Sequence, residues 1–146
     1  METAAFRSGR HVVFRLHVHL VFVTKHRRGV TSDRVLAHLR ETMESVCSDF
    51  EAELLEMDGE DDHVHLLITY PPKVALSTLV NSLKGVSARM IRKADFPEIR
   101  GKLWGDAFWS PSYCAVSCGG APLHIIAEYV RNQRDPRPRR SQHRSP

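Results

Sequence analysis

The chain has 146 residues, 42% of them hydrophobic and 26% charged, enough for one domain with an ordinary buried core and unlike a disordered or fibrous composition. Its 21 Lys and Arg against 17 Asp and Glu give a formal charge of +4, and no apolar run approaches the roughly 20 residues of a membrane span. The three cysteines, Cys47, Cys114 and Cys118, form neither an even disulfide set nor a CxxC metal pair and read as reduced thiols.

In chain order, residues 1–10 lack the apolar stretch and small-residue cleavage site of a signal peptide, which predicts a flexible N-terminus and a cytoplasmic product. Residues 11–24 (HVVFRLHVHLVFVT) alternate. Phe14, Leu16, Val18, Leu20 and Phe22 point one way and Arg15, His17, His19 and Val21 the other, which predicts a strand with one apolar face. From Ser32 to Phe50 apolar residues recur at helical spacing, with Thr31 or Ser32 available as N-cap and Cys47 in the core stripe. Residues 52–57 suggest a short strand ending at a turn at Asp58-Gly59, and His63 to Tyr70 (HVHLLITY) a further strand stopped by Pro71-Pro72. Ala75 to Lys93 is again helical in period, slightly weakened by Gly85. Ala107 to Cys118 reads as a last strand with a Pro-marked irregularity. After Gly119-Gly120 a helix runs from Pro122 to about Gln133.

The order βαββαβ predicts a ferredoxin-like, RRM-like α+β sandwich: a four-stranded antiparallel sheet, both helices on one face, and an added C-terminal helix. The domain spans residues 11–133. Residues 134–146 hold five Arg, one Asp, three Pro and no apolar side chain, and read as a disordered basic tail. Residues 41–62 carry ten acids and no Lys or Arg, so the bases of the remaining body dominate elsewhere and the molecule is electrically two-sided. A basic side and a basic tail suit a polyanion such as nucleic acid, although Lys and Arg also simply solvate helices.

Two constellations carry chemistry. His63 and His65 are two residues apart on a strand, so both imidazoles leave the same face while Val64 enters the core. Beside Asp61 and Asp62 they are candidates to ligate a divalent metal through neutral ring nitrogens. His17 and His19 have identical spacing on the non-core face of a strand expected to lie alongside. Spacing does not choose between the pairs. Context favours His63 and His65, which open a strand after an acidic turn at an expected sheet edge, with His17 and His19 lining or supporting the site. On the terminal helix, Tyr129 and Gln133 share a flank at i, i+4 and can address one site. Tyr70 lies on the core side of its strand and Tyr113 in an aromatic segment, so Tyr129 is the tyrosine best placed as a reagent, with interfacial packing as the other reading.

DHVHLL at 62–67, LVFVTKHRR at 20–28, LKG at 83–85, WGDAFWSPSY at 104–113 and GGAPLHIIAEYVRNQ at 119–133 together resemble the single-tyrosine HUH transposases, the small TnpA-type proteins of the simplest, IS200-like insertion sequences. The resemblance runs in unbroken motif order from about residue 11 to 133. It implies that His63 and His65 hold Mg²⁺ or Mn²⁺ against the scissile phosphate of single-stranded DNA. It makes Tyr129 the nucleophile and Gln133 the polar residue completing the metal site. The implied reaction forms a 5′-phosphotyrosine and a free 3′-OH and later rejoins strands, with no nucleotide cofactor. The implied partners are single-stranded DNA with subterminal hairpins and a second copy of the chain, whose tyrosine helix completes the site in trans. Gly119-Gly120 would serve as the hinge of that helix, or as an ordinary strand-to-helix connection. Lys25, Arg27, Arg28, Lys84 and Arg89 are the candidate phosphate contacts. Trp104, Phe108 and Trp109 are either base-stacking platforms or, as the stronger expectation, core or dimer packing. A domesticated REP-associated tyrosine transposase and a non-catalytic nucleic-acid-binding module are the alternatives.

Overall fold

The structure is a computed structural model, describing residues 6–9, 11–14, 16–25, 29–102 and 107–117. Among the described residues eight elements follow in order: β1 (Arg7–Ser8), β2 (Val13–Phe14), β3 (His17–Val23), α1 (Asp33–Asp49), β4 (Glu53–Glu60), β5 (His63–Thr69), α2 (Leu76–Ala94) and β6 (Cys114–Ser117). β3 to β6 form a four-stranded antiparallel sheet in the order β4-β5-β3-β6, which is the expected ferredoxin-like arrangement. No helix among the described residues is long and apolar enough to cross a membrane.

Alternation builds the core. Val18, Leu20 and Phe22 of β3 and Val64, Leu66 and Ile68 of β5 are buried on the helix-covered face. Against them α1 buries Val35, Leu39, Met43, Val46 and Cys47, and α2 buries Leu79, Val80, Leu83, Ser87 and Ile91. Each such aliphatic side chain contributes about 1.5–3 kcal/mol by leaving water. Helix α1 begins at Ser32, whose hydroxyl accepts from Val35 N–H at 3.3 Å. Helix α2 ends at Asp95 in the left-handed region, φ 54°. Burial pushes the Cys47 thiol up to about 12, with Glu44 adding to it.

Four features differ from expectation. The strand expected over 11–24 is two. β5 ends at Thr69, paired with His17, because Pro71-Pro72 cannot continue a ladder, so Val13–Phe14 pairs instead with Arg7–Ser8 inside the segment expected to be a flexible N-terminus. The strand expected to end at Asp58-Gly59 continues to Glu60, and the chain turns at Asp61-Asp62. Gly59 is there for space. A Cβ on it would lie 2.7 Å from the His63 carbonyl oxygen and 3.2 Å from Leu36 Cδ1, so glycine lets α1 close onto this strand. β5, expected at a sheet edge, is an interior strand. The last strand is only Cys114–Ser117, with Trp109 bridging separately to Thr24. Two more residues lie on this side than on β3 between the two pairings, with Pro111 among them.

The other sheet face is also closed at its centre. Val21 and Val23 are fully buried there, with Cys114 packed against them, so the histidine-bearing face is not the open one expected.

Candidate active site

The site is built from the Asp61-Asp62 turn and the first turn of alternation in β5. Thr24 holds the Asp62 carbonyl twice, by its N–H at 3.0 Å and its hydroxyl at 3.2 Å. Thr31 holds the other side, its N–H donating to the Asp61 carbonyl at 3.0 Å and its hydroxyl to the Glu60 carbonyl. A turn pinned from two directions fixes where His63 starts.

His63 and His65 leave the same face as expected, with ring centroids 6.0 Å apart and planes 13° from parallel. The Asp62 carboxylate lies 2.9 Å from His63 Nδ1. A carboxylate only accepts, so Nδ1 carries the hydrogen and, in the neutral ring, the lone pair sits on Nε2, the arrangement a carboxylate imposes when it orients a metal-ligating histidine. Asp62 thus orients an imidazole rather than standing as a separate acid beside it. His65 is held below the usual imidazole range, first by burial and then by the neighbouring His63, against the opposing pull of Asp58. The downward shift favours the neutral ring, the form that ligates metal. Among the described residues no group of three or more His, Cys, Asp or Glu side chains is arranged to hold a metal ion. The two imidazoles fit a divalent cation as part of its donor set, and nitrogen donors favour Mn²⁺ over Mg²⁺ in affinity.

The four histidines share a face but not a location. His63 pairs with Val23 and His65 with Val21, whereas His17 pairs with Thr69 at the other end of the sheet, six residues and about 20 Å along the strand. His19 lies diagonal to His65 and acts on it by charge, depressing its titration. β4 brings acids to the same face: Asp58 pairs with His65 and Glu60 with His63.

The expected DNA contacts separate by geometry. The Lys84 ammonium donates to the Ser110 carbonyl at 2.7 Å and the Ser112 carbonyl at 3.1 Å, and lies 5.7 Å from the centres of the Phe22 and Tyr113 rings. Burial lowers its pKa. These carbonyls flank Pro111, where the ladder to β3 is broken, so Lys84 serves the last strand rather than projecting as a phosphate contact. Arg89 is exposed on α2 and Lys25 is half-buried, its N–H bonded to the Phe108 carbonyl at 2.9 Å. Phe108 and Trp109 are core, packed edge to face at 4.6 Å, with Trp109 Nε1 donating to the buried Ser87 hydroxyl at 3.0 Å; neither is free to stack on a base. Arg27, Arg28, Trp104, Gly119, Gly120, Tyr129 and Gln133 lie outside the described residues.

Sequence reasoning missed Thr24 and Thr31. A threonine just beyond a strand gives no sign that it will anchor a turn 38 residues on. It also missed Lys84, whose role exists only once α2 meets the Pro111 loop.

Comparison with known proteins agrees with this architecture. The family model described as "Transposase IS200 like" matches residues 12–133. The ISDra2 transposase TnpA of Deinococcus radiodurans is 33% identical over 129 residues, covering 88% of this chain and 91% of that one. The transposase for insertion sequence element IS200 of Salmonella typhimurium is 27% identical over 127 residues, covering 87% and 82%. A solved Deinococcus radiodurans chain described as a transposase superposes with a TM-score of 0.78 at 33% identity, over 87% of this chain and 97% of that one. A REP-associated tyrosine transposase, solved bound to a REP hairpin, shares the fold at TM-score 0.53 and 12% identity, over 88% and 75%. With the family model spanning residues 12–133 and a relative 33% identical over 88% of the chain, the chain belongs to the IS200-like transposase family.

Proposed function

We propose that the chain cleaves and rejoins single-stranded DNA at insertion-sequence ends, with Tyr129 as nucleophile and His63, His65 and Gln133 as the metal-binding set. The observation that carries this reading is the His63–His65 pair on one face, with His63 fixed by Asp62 at 2.9 Å so that Nε2 is presented. A divalent cation, Mg²⁺ or Mn²⁺, supplies charge neutralisation and orientation of the scissile phosphate when bound there.

The chain's own residues do the rest. The Tyr129 phenol, ordinarily protonated near neutral pH, gives up its proton as its oxygen bonds to phosphorus. The bond from phosphorus to the 3′ oxygen breaks and that oxygen leaves as a 3′-OH. The product is a 5′-phosphotyrosine. Attack by another 3′-OH reverses the exchange and releases the tyrosine, so the number of phosphodiester-type bonds is conserved and no nucleotide cofactor is required. A second copy of the chain supplies the tyrosine helix in trans, with Gly119-Gly120 as its hinge. Hairpins near the ends are the form of DNA recognised, and the fold neighbour bound to a REP hairpin suggests that probe.

The test mixes the purified chain with Mn²⁺ or Mg²⁺ and single-stranded oligonucleotides covering the flanks of its own gene, then looks for a denaturation-resistant protein–DNA adduct. The adduct is expected with the native chain and is expected to vanish with Tyr129→Phe, with His63→Ala and with EDTA. Tight hairpin binding without any adduct on either strand of either flank would defeat the reading in favour of a binding module.

A further inference from the structure

A cleft of about 430 Å³ opens where the β1–β2 hairpin meets the turn between α1 and β4 and the residues that follow β5. Its size is that of a small-molecule site, for which about 300–1,000 Å³ is usual. Val12 and Phe14 line it from the hairpin, and Pro71 and Pro72 from beyond β5. These apolar walls are set in advance. Phe14 is buried, the Gly9 N–H closes the hairpin turn on the Val12 carbonyl at 2.6 Å, and the two prolines have fixed φ.

Arg7 ties the hairpin down. One terminal nitrogen donates to the Thr69 carbonyl at 3.3 Å, the other to the Glu51 carbonyl at 2.8 Å, and the guanidinium carbon lies 5.1 Å from the centre of the Phe14 ring. A guanidinium has five N–H donors. The carbonyls take two of them and no carboxylate among the described residues pairs with Arg7, so a positive charge with donors to spare lines the cleft. At the rim Lys73 pairs with Glu51 at 3.0 Å, both side chains exposed. Glu51 holds φ 61° just past α1, where glycine is the usual residue, so a carboxylate is kept there against the backbone preference. Those two charges cancel, and the charged side chains of the lining sum to one net positive charge.

Of the five large apolar side chains exposed among the described residues, three are on or beside the hairpin: Phe6, Val12 and Val13, at 63%, 40% and 65% accessibility. Three so close together make a patch, unlike the scattered single residues that every surface shows. We propose that the cleft is a binding site for a small amphiphilic monoanion, an aromatic or branched-chain carboxylate, whose apolar body lies between the hairpin and Pro71-Pro72 and whose carboxylate meets Arg7. Thr69, whose carbonyl holds Arg7, is six residues from His63, about 20 Å along β5. The site is therefore separate from the histidine pair, and it does not rest on the strand-transfer chemistry.

The experiment titrates the full, isotope-labelled chain with phenylacetate, with its neutral amide phenylacetamide and with inorganic phosphate, following backbone amide shifts. Phenylacetate is expected to saturate shifts at Ser8, Gly9, Val12 and Lys73 with a Kd of about 1 mM or tighter, at least about tenfold tighter than the amide or phosphate. Charge at the rim then sets the sign of each change. Glu51→Gln removes the acid and leaves the backbone carbonyl that Arg7 holds, so phenylacetate should bind about two- to fivefold more tightly. Lys73→Gln should weaken it by a similar factor, and neither variant should alter binding of the amide. Val12→Trp, a change at an exposed position, fills the cleft and is expected to abolish the shifts while the thermal midpoint holds. No saturation by about 10 mM, equal binding of acid and amide, phosphate binding as tightly as phenylacetate, shifts confined to His63 and His65, or a Kd unmoved in both charge variants would each overturn the proposal.

Discussion

Asp62 works through two different groups at once. Its carbonyl is the anchor that Thr24 holds, and its carboxylate sets the orientation of His63. Asp62→Asn keeps the turn and the size of the side chain but puts an amide where only an acceptor stood, so His63 loses its enforced tautomer. The expected result is a 10- to 100-fold rise, roughly, in the Mn²⁺ concentration needed for half-maximal adduct, with little change in thermal midpoint. An unchanged metal requirement would confine Asp62 to the turn. At this scale the sequence was informative where periodicity rules: a two-residue repeat is enough to put His63 and His65 on one face and Val64 beneath. It misled at Gly59, because Asp-Gly is a local turn signal and the need for space under Leu36 is a tertiary one.

Elements are joined here by a few polar contacts at places where the regular ladder fails. Pro111 interrupts the pairing of the last strand with β3, and Lys84 from α2 takes up the Ser110 and Ser112 carbonyls. Removing the ammonium in Lys84→Met leaves carbonyls without that donor in a half-buried setting and is expected to cost about 1–3 kcal/mol in denaturant unfolding. Lys84→Arg should recover part of it, and no loss in either variant would show the loop to be held by its aromatic neighbours alone. Both helices and the strands β3 and β5 were legible because their apolar spacing is long and unmixed. The division of residues 11–24 was not, since the alternation runs on across the break. What ends β3's pairing is the proline pair after β5, in a distant part of the chain. The interior place of β5 was equally hidden, although strand adjacency to β3 followed from the fold.

Over the whole molecule, charge is arranged so that its loss should be felt at acid pH. Glu98, beyond α2, accepts from the Ser32 hydroxyl at 2.6 Å and from Arg34 through two nitrogens at 3.1 and 3.2 Å, clamping the start of α1 to the segment after α2. Arg34 first and Ser32 next hold its carboxyl down to about 2. Because the folded value lies below the ordinary glutamate value near 4.3, the stabilisation is present above that value and is lost as pH falls through about 2. The thermal midpoint of the native chain should therefore exceed that of Glu98→Gln by a constant amount above about pH 5, with the gap closing toward pH 2. A gap independent of pH would mean that the ion pair contributes nothing.

The acidic strand β4 has a consequence for how the sheet can be extended. β4 is an edge of the four-stranded sheet, with Glu53, Glu56, Asp58 and Glu60 on one face and a bulge between Leu54 and Glu56. Any exposed edge is a template on which a strand from another molecule can polymerise. Here an antiparallel copy laid along β4 would bring carboxylates against carboxylates, and the bulge would throw the two ladders out of step. On this side fibre-like growth is disfavoured by repulsion and by misfit together.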